Sequence, residues 1–319
     1  MSAAVSQSAD WGDQSTWLWQ GLHCHWRVLG PENGVAVLLL HGFGTSSAHW
    51  RRCAPRLAKA GFRVFAIDLI GFGASEQPGW SKRLRLDNRL WGRQVQAFLT
   101  DVVQRPAVLV GNSLGGLSAL TAAVFDPRMI RAVVAAPLPD PALIQPIAKR
   151  RPPRRRALQR QLLSLVLRLL PLELIVPLIS RTPLLKVGLQ GAYLRSIADD
   201  RELLQLIARP ARRPTAARAL RAMSIGMAIR PRGATAPALL ERLQGQVPTL
   251  LLWGRQDRFV PLAIGTQTAH RYPWLNLSVI EDSGHCPHDE TPDLFLNELL
   301  CWLDLNLDKS SAAGEQQRR

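Results

Sequence analysis

A chain of 319 residues that is 47% hydrophobic can bury a large core, either as one domain or as one domain with an insertion. Its formal net charge of +16 is lopsided. Gln145–Leu240 holds 19 Lys and Arg against 4 acidic residues, while the remainder is nearly balanced. That asymmetry excludes a uniformly basic nucleic-acid binder and points to one local docking face.

The first residues, MSAAVSQSADWGDQSTW, have no basic start and no apolar run, so a secretory leader is not expected and a cytoplasmic location is. Thr16–Leu29 reads as two short Trp-rich strands. Val35–Leu40 (VAVLLL) is a continuous apolar run of the kind found in strands covered on both faces. Ser46–Ala60 is expected to be a helix stopped by Gly61. Phe62–Ile67, Ala107–Val110 and Ile130–Ala136 read as further strands, with helices over Asp87–Val103 and Leu114–Phe125 between them. The alternation resumes with a strand at Thr249–Trp253, a helix near Leu262–Arg271, a strand at Leu275–Ile280 and a last helix over Pro292–Leu305. The polar tail Lys309–Arg319 is expected to lack fixed structure. Strands alternating with helices imply crossover connections, hence a mostly parallel sheet with helices on both faces.

About a hundred residues, Pro137–Gln244, interrupt this alternation and read as an inserted helical cap. The core is then 1–136 and 245–319, and the cap 137–244. Within it, Lys149–Arg160 (KRRPPRRRALQR) holds seven basic residues and no acid, and runs into LLSLVLRLLPLELIVPLIS. That apolar stretch is near the length of a membrane span. Arg168 and Glu173 would sit at its centre, each costing about 2.5–3.5 kcal/mol on insertion, and Pro171 and Pro177 break it. A spanning helix is therefore rejected. A lid over an apolar pocket, an amphipathic segment lying on a lipid surface, and a solvated basic loop followed by an ordinary core helix remain. The basic run has no interleaved aromatics, which argues against nucleic acid.

The chemistry starts at Gly111-Asn112-Ser113-Leu114-Gly115-Gly116, which follows an apolar strand and opens a helix. G-x-S-x-G in that setting is a nucleophile elbow, a strained turn that lifts Ser113 above the sheet edge. Serine needs a base. His285, in DSGHCPH at the carboxyl end of a strand, is preferred to His288, which precedes Asp289-Glu290 at a helix start. Asp257, after TLLLW, is preferred to Asp282 as the acid that orients the imidazole, because it completes the chain order Ser, Asp, His. His41-Gly42-Phe43-Gly44 follows the first long buried strand and can supply a backbone N–H to an oxyanion. The two donors are assigned to Phe43 and Leu114. Asp68, in AIDLIGFGAS, is read as a loop-fixing residue. Cys24, Cys53, Cys286 and Cys301 form no CxxC pair and no zinc-ligand spacing, so they are expected to be reduced, buried thiols. No metal or organic cofactor is called for.

Together HGFGTSSAHWRR, AIDLIGFGASEQP, GNSLGG, LLLWGRQDRFVP and SGHCPHDETP resemble the α/β-hydrolase superfamily across Leu38–Leu305, the cap excepted. The resemblance implies an eight-stranded, mostly parallel sheet with helices on both faces. TWLWQGLHCHWRVLG with HGFGTSSAHW and DLIGFGASEQP is similar to the pheophytinase and chlorophyll dephytylase group, which implies a phytyl ester substrate and a place beside a thylakoid membrane. GNSLGG also resembles carbon–carbon bond hydrolases of ring-cleavage products. Ser113 argues against the dehalogenases and epoxide hydrolases on the same framework, which use Asp. The leading expectation is a serine esterase of hydrophobic esters. The alternatives are a carbon–carbon hydrolase, a general lipase or esterase and, least favoured, a membrane or pigment-binding adaptor without activity.

Overall fold

The computed structural model describes residues 9–81, 83–144 and 153–316, and their side chains outside 153–160 and 308–316. Eight strands form one sheet: β1 (Asp13–Trp19), β2 (Leu22–Leu29), β3 (Ala36–Leu40), β4 (Arg63–Ile67), β5 (Ala107–Asn112), β6 (Ile130–Ala136), β7 (Thr249–Gly254) and β8 (Asn276–Ile280). Their order is β1-β2-β4-β3-β5-β6-β7-β8. β1 and β2 form an antiparallel hairpin and β2 runs antiparallel to β4, while every later pairing is parallel. The hairpin turns on Gln20 and Gly21, both at positive φ (51° and 76°), the backbone demanded by a two-residue turn between right-twisted strands.

All residues of β3, β5 and β7 are buried, as parallel strands covered on both faces must be. Successive side chains part to opposite faces. Leu38, Leu40, Leu109 and Leu251 join one core with helices α2 (Asn88–Phe98) and α3 (Leu114–Phe125). Val37, Leu39, Val108 and Leu250 join the other with α1 (Ala54–Lys59) and a long C-terminal helix.

The helix expected over Ser46–Ala60 is split into a 3-10 turn, Ser47–Trp50, and α1. Pro55 accounts for the break, since it donates no N–H to continue the preceding turn and sits instead in the first turn of α1, where none is needed. Over Asp87–Val103, Asp87 caps α2 by accepting from Arg89 N at 2.9 Å, and the last turn widens into a π-helix, Leu99–Val103.

Between β6 and β7 lie α4 (Pro141–Ile144), α5 (Pro153–Leu169), α6 (Leu172–Arg181), α7 (Leu184–Gln190), α8 (Arg201–Ala211), α9 (Ala216–Ile229) and α10 (Ala236–Leu243). Helices α5–α9 form the insert. α10 packs on α3 instead, with Leu239, Leu240 and Leu243 in the sheet's own core. The chain closes with α11 (Leu262–Arg271), α12 (Pro287–Glu290) and α13 (Pro292–Gln316). α13 runs past Leu305 into the tail that was expected to lack structure. Of the cysteines, Cys24, Cys53 and Cys286 are buried free thiols, but Cys301 is exposed, because its position on α13 faces away from the sheet.

Among the described residues no single helix is long and apolar enough to cross a membrane. The apolar stretch breaks before Pro171, and its two halves, Gln161–Leu169 and Leu172–Arg181, meet at a 59° bend.

Candidate active site

Ser113 sits between β5 and α3 with φ 51° and ψ −115°, a backbone region that L-residues rarely enter. Such a residue costs of the order of 1–3 kcal/mol and persists only where its surroundings dictate it. Here the glycines dictate it. A Cβ on Gly115 would lie 2.1 Å from the Leu40 carbonyl oxygen, and one on Gly111 2.2 Å from the Gly115 carbonyl carbon. The elbow therefore packs backbone against backbone and turns the Ser113 hydroxyl out of the sheet.

His285 Nδ1 lies 2.8 Å from Asp257 Oδ2. The other oxygen, Oδ1, accepts from Phe259 N at 2.8 Å and Val260 N at 2.9 Å. A carboxylate held at three points keeps the proton of the imidazole on Nδ1 and leaves Nε2 as the basic face. The Ser113 hydroxyl makes no hydrogen bond within the described residues, whereas the Asp257–His285 pair is formed. Asn112, next to Ser113, holds the two halves at one another's side: its Nδ2 donates to the Ala136 carbonyl at 2.7 Å and the His285 carbonyl at 3.1 Å. Gly42 is part of the same fit, since a Cβ there would meet Asn112 Oδ1 at 2.4 Å.

No acceptor within the described residues takes the N–H of Phe43 or of Leu114. The latter is the first residue of α3, where an unsatisfied amide and the positive end of the helix coincide. The structure keeps the rival residues out. Asp282 is exposed and, among the described residues, pairs with no histidine. His288 is fully buried, with its ring against Trp50 and its Nε2 3.2 Å from His49 Nδ1. Burial, aided by His49 and His285 nearby, holds His288 well below the ordinary histidine range, so it stays neutral. Asp68 ties loops together, accepting from Ser47 N at 2.6 Å and Ala74 N at 2.7 Å. Burial opposes its ionisation, but His25, His41 and the backbone N–H groups outweigh it and bring the carboxyl down to about 2. Cys286 is not a reactive thiol, because burial pushes its pKa well above the ordinary value.

Sequence reasoning missed a buried polar cluster behind the His285 loop. His49 Nε2 meets the Tyr193 hydroxyl at 2.8 Å, and that hydroxyl donates to Asp289 Oδ2 at 3.0 Å. Arg51 Nε donates to Asp289 Oδ1 at 3.0 Å, and its Nη1 to Asp200 Oδ1 at 3.0 Å and Glu202 Oε2 at 2.6 Å. The signal in the sequence was the unusual run His288-Asp289-Glu290, and the side-chain partners of Asp289 in this cluster, Tyr193 and Arg51, lie more than 90 residues away.

Beside the site lies an apolar cavity of about 370 Å³ between the insert and the core. Phe43 and Phe259 stand at its active-site end, and the Phe259 ring packs 5.4 Å from that of His285. Ile179, Leu189, Leu220 and Met223 supply the insert's walls, and no charged side chain lines it.

This arrangement of sheet, elbow and acid–histidine pair defines a hydrolase fold, and residues 37–298 match the alpha/beta hydrolase family, to which the chain belongs. Among individual relatives, the pheophytinase of Arabidopsis thaliana chloroplasts is 27% identical over 88% of this chain, and the chain spans 64% of that protein's length. A 2-hydroxy-6-oxononadienedioate/2-hydroxy-6-oxononatrienedioate hydrolase of Cupriavidus pinatubonensis is 27% identical over 83% of this chain and 84% of its own. In fold, the chain is similar to the crystal structure of Cfl2 from Burkholderia cenocepacia, with a TM-score of 0.70 at 21% identity over 91% of this chain and 95% of that one.

Proposed function

We propose that this protein is a serine hydrolase that cleaves carboxylic esters with a long apolar group, a phytyl-type ester being the leading candidate. The observation that carries the reading is the Asp257–His285 pair set beside the strained Ser113 elbow at the end of an uncharged cavity. In this mechanism His285 Nε2 takes the proton of Ser113 as Oγ attacks the ester carbonyl. The oxyanion is received by the N–H groups of Phe43 and Leu114. His285 passes its proton to the departing alcohol, leaving an acyl-Ser113, and then activates the water that releases the acid. Of the segment 137–244 expected as the cap, α5–α9 cover the cavity, while α10 packs with the core of 1–136 and 245–319.

The pheophytinase likeness favours an isoprenoid alcohol, and the apolar walls suit one. The dienedioate hydrolase supports the carbon–carbon reading less well. A dioate needs cations or several donors around its carboxylates, and the cavity walls offer none that is charged. Peripheral contact with anionic lipid through Lys149–Arg160, as at a thylakoid surface, belongs to this reading, although those side chains lie outside the described residues.

Labelling with a fluorophosphonate, which reacts only with an activated serine, tests the mechanism. The wild type should label and hydrolyse p-nitrophenyl esters, and Ser113→Ala should do neither. Wild-type turnover by Ser113→Ala would remove the proposal. A panel of a phytylated pigment, a p-nitrophenyl ester and a dienedioate separates the substrates.

A further inference from the structure

The insert carries more exposed apolar surface than a soluble cap needs. On α5, Leu165, Val166 and Leu169 face solvent; on α6, Leu174 (74% exposed) and Leu178; on α7, Leu184 and Val187 (69%). Patches of this extent mark interaction sites. Charged residues interrupt the run, but the protein draws them back onto itself. Arg221 donates to Glu173 Oε2 at 2.6 Å and to the Leu170 carbonyl at 2.7 Å, and the Arg168 guanidinium lies 4.4 Å over the Trp80 ring. The cavity opens onto the same face, because Phe43, Ile179, Leu184 and Phe259 are at once exposed and part of its lining.

From this coincidence we infer that the outer face of α5–α7 lies in the surface of an anionic bilayer, and that the apolar substrate enters the cavity from the lipid between Phe43, Phe259 and α6–α7 without crossing water. Three observations select lipid over another protein. No single described helix is long and apolar enough to span, and the two apolar halves meet at a 59° bend, as suits helices lying in an interface. The segment that contains them holds 19 Lys and Arg against 4 acidic residues, which suits anionic headgroups. Among the described residues no charged side chain lines the cavity they border, and Thr45, Gln77 and Ser180 are the polar exceptions in an otherwise apolar wall. The inference rests on the proposed ester hydrolysis for the identity of the substrate, but not for the docking itself.

The test uses the full chain, vesicles of phosphatidylcholine with and without phosphatidylglycerol, and the variants Leu174→Asp/Leu178→Asp and Val187→Asp. None of these residues lines the cavity. Wild type should float with anionic vesicles, and each variant should bind at least about tenfold more weakly, since interfacial binding scales with the apolar area buried. Turnover of soluble p-nitrophenyl butyrate should be unchanged. With a long-chain ester dispersed in vesicles, KM should rise about tenfold while kcat holds. The docking claim fails if wild type floats with neither vesicle. It also fails if the variants float as well as wild type, or if sedimentation velocity shows a wild-type dimer that Leu174→Asp/Leu178→Asp dissolves. Vesicle binding without any ester turnover would sink the proposed function and leave the docking standing.

Discussion

Asp257→Asn isolates the orienting carboxylate from every other feature of the site. Asparagine keeps one acceptor oxygen, and the Phe259 and Val260 amides, at 2.8 and 2.9 Å from Oδ1, compete to fix it in their direction. The side-chain NH2 then faces His285 Nδ1, which lies 2.8 Å from the oxygen it replaces. An amide donor there makes Nδ1 the acceptor and moves the ring proton to Nε2, where it blocks transfer from Ser113. The equivalent change in a serine triad lowers kcat about 10⁴-fold, or roughly 5.5 kcal/mol of transition-state stabilisation. Stability should shift by no more than about 1 kcal/mol, because every buried polar atom keeps a partner. KM should hold, since Asp257 does not line the cavity. Steady-state hydrolysis of p-nitrophenyl butyrate, fluorophosphonate labelling rates and thermal melts read the three quantities. A variant with wild-type Tm and kcat within about tenfold of wild type would refute the assignment of Asp257.

Gly115→Ala should cost at least about 3 kcal/mol in urea unfolding, because the new Cβ meets two rigid carbonyls, Leu40 O at 2.1 Å and His41 O at 2.7 Å; a loss below 1 kcal/mol would show that the elbow has slack. Leu220→Trp, in the cavity wall, should lower kcat/KM for long-chain esters by about tenfold or more and leave short esters within about twofold; equal losses on both would mean that the cavity does not hold the acyl or alcohol chain. Burial brings His49 down from 6.5 to about 4, against the pull of Asp289. The fold thus holds the neutral ring, and its contribution is complete above pH 6.5 and is lost as the pH falls towards 4, an interval worth about 3 kcal/mol. Chemical denaturation from pH 7 to 4 should show that slope, flattened in His49→Gln; an unchanged slope would exclude His49 as its source.

The strands that build the sheet were legible because burial on both faces leaves an unbroken apolar run, as in Ala36–Leu40 and Thr249–Gly254. The elbow was legible because its glycines and its serine are local in sequence. The split in Ser46–Ala60 was legible in principle, since Pro55 stands in the middle of it. The contacts that join insert to core were not. Arg51 meets Asp289 across 238 residues, and Tyr193 meets His49 across 144, so neither contact leaves a period or a spacing to read. The cavity was hidden for the same reason, as its walls come from five separate parts of the chain.

Those long-range contacts give the insert a mechanical role beyond covering the cavity. The N–H of His285 itself donates to the Ala192 carbonyl at 2.8 Å, directly after α7. Glu290 accepts from Gly284 N with one oxygen and from Arg195 N with the other, both at 2.6 Å, so one carboxylate joins the His285 loop to the α7–α8 connection. Arg51, 2% exposed, completes the clamp by pairing with Asp289 on the core side and with Asp200 and Glu202 on the insert side. Breaking the fully buried Arg51–Asp289 pair from one side should cost about 3–5 kcal/mol, because the remaining charge is stranded away from solvent. The loop that carries the imidazole and the helix that walls the cavity are therefore one hydrogen-bonded unit. A displacement of α7 large enough to admit a bulky chain must therefore either break these bonds or carry His285 with it.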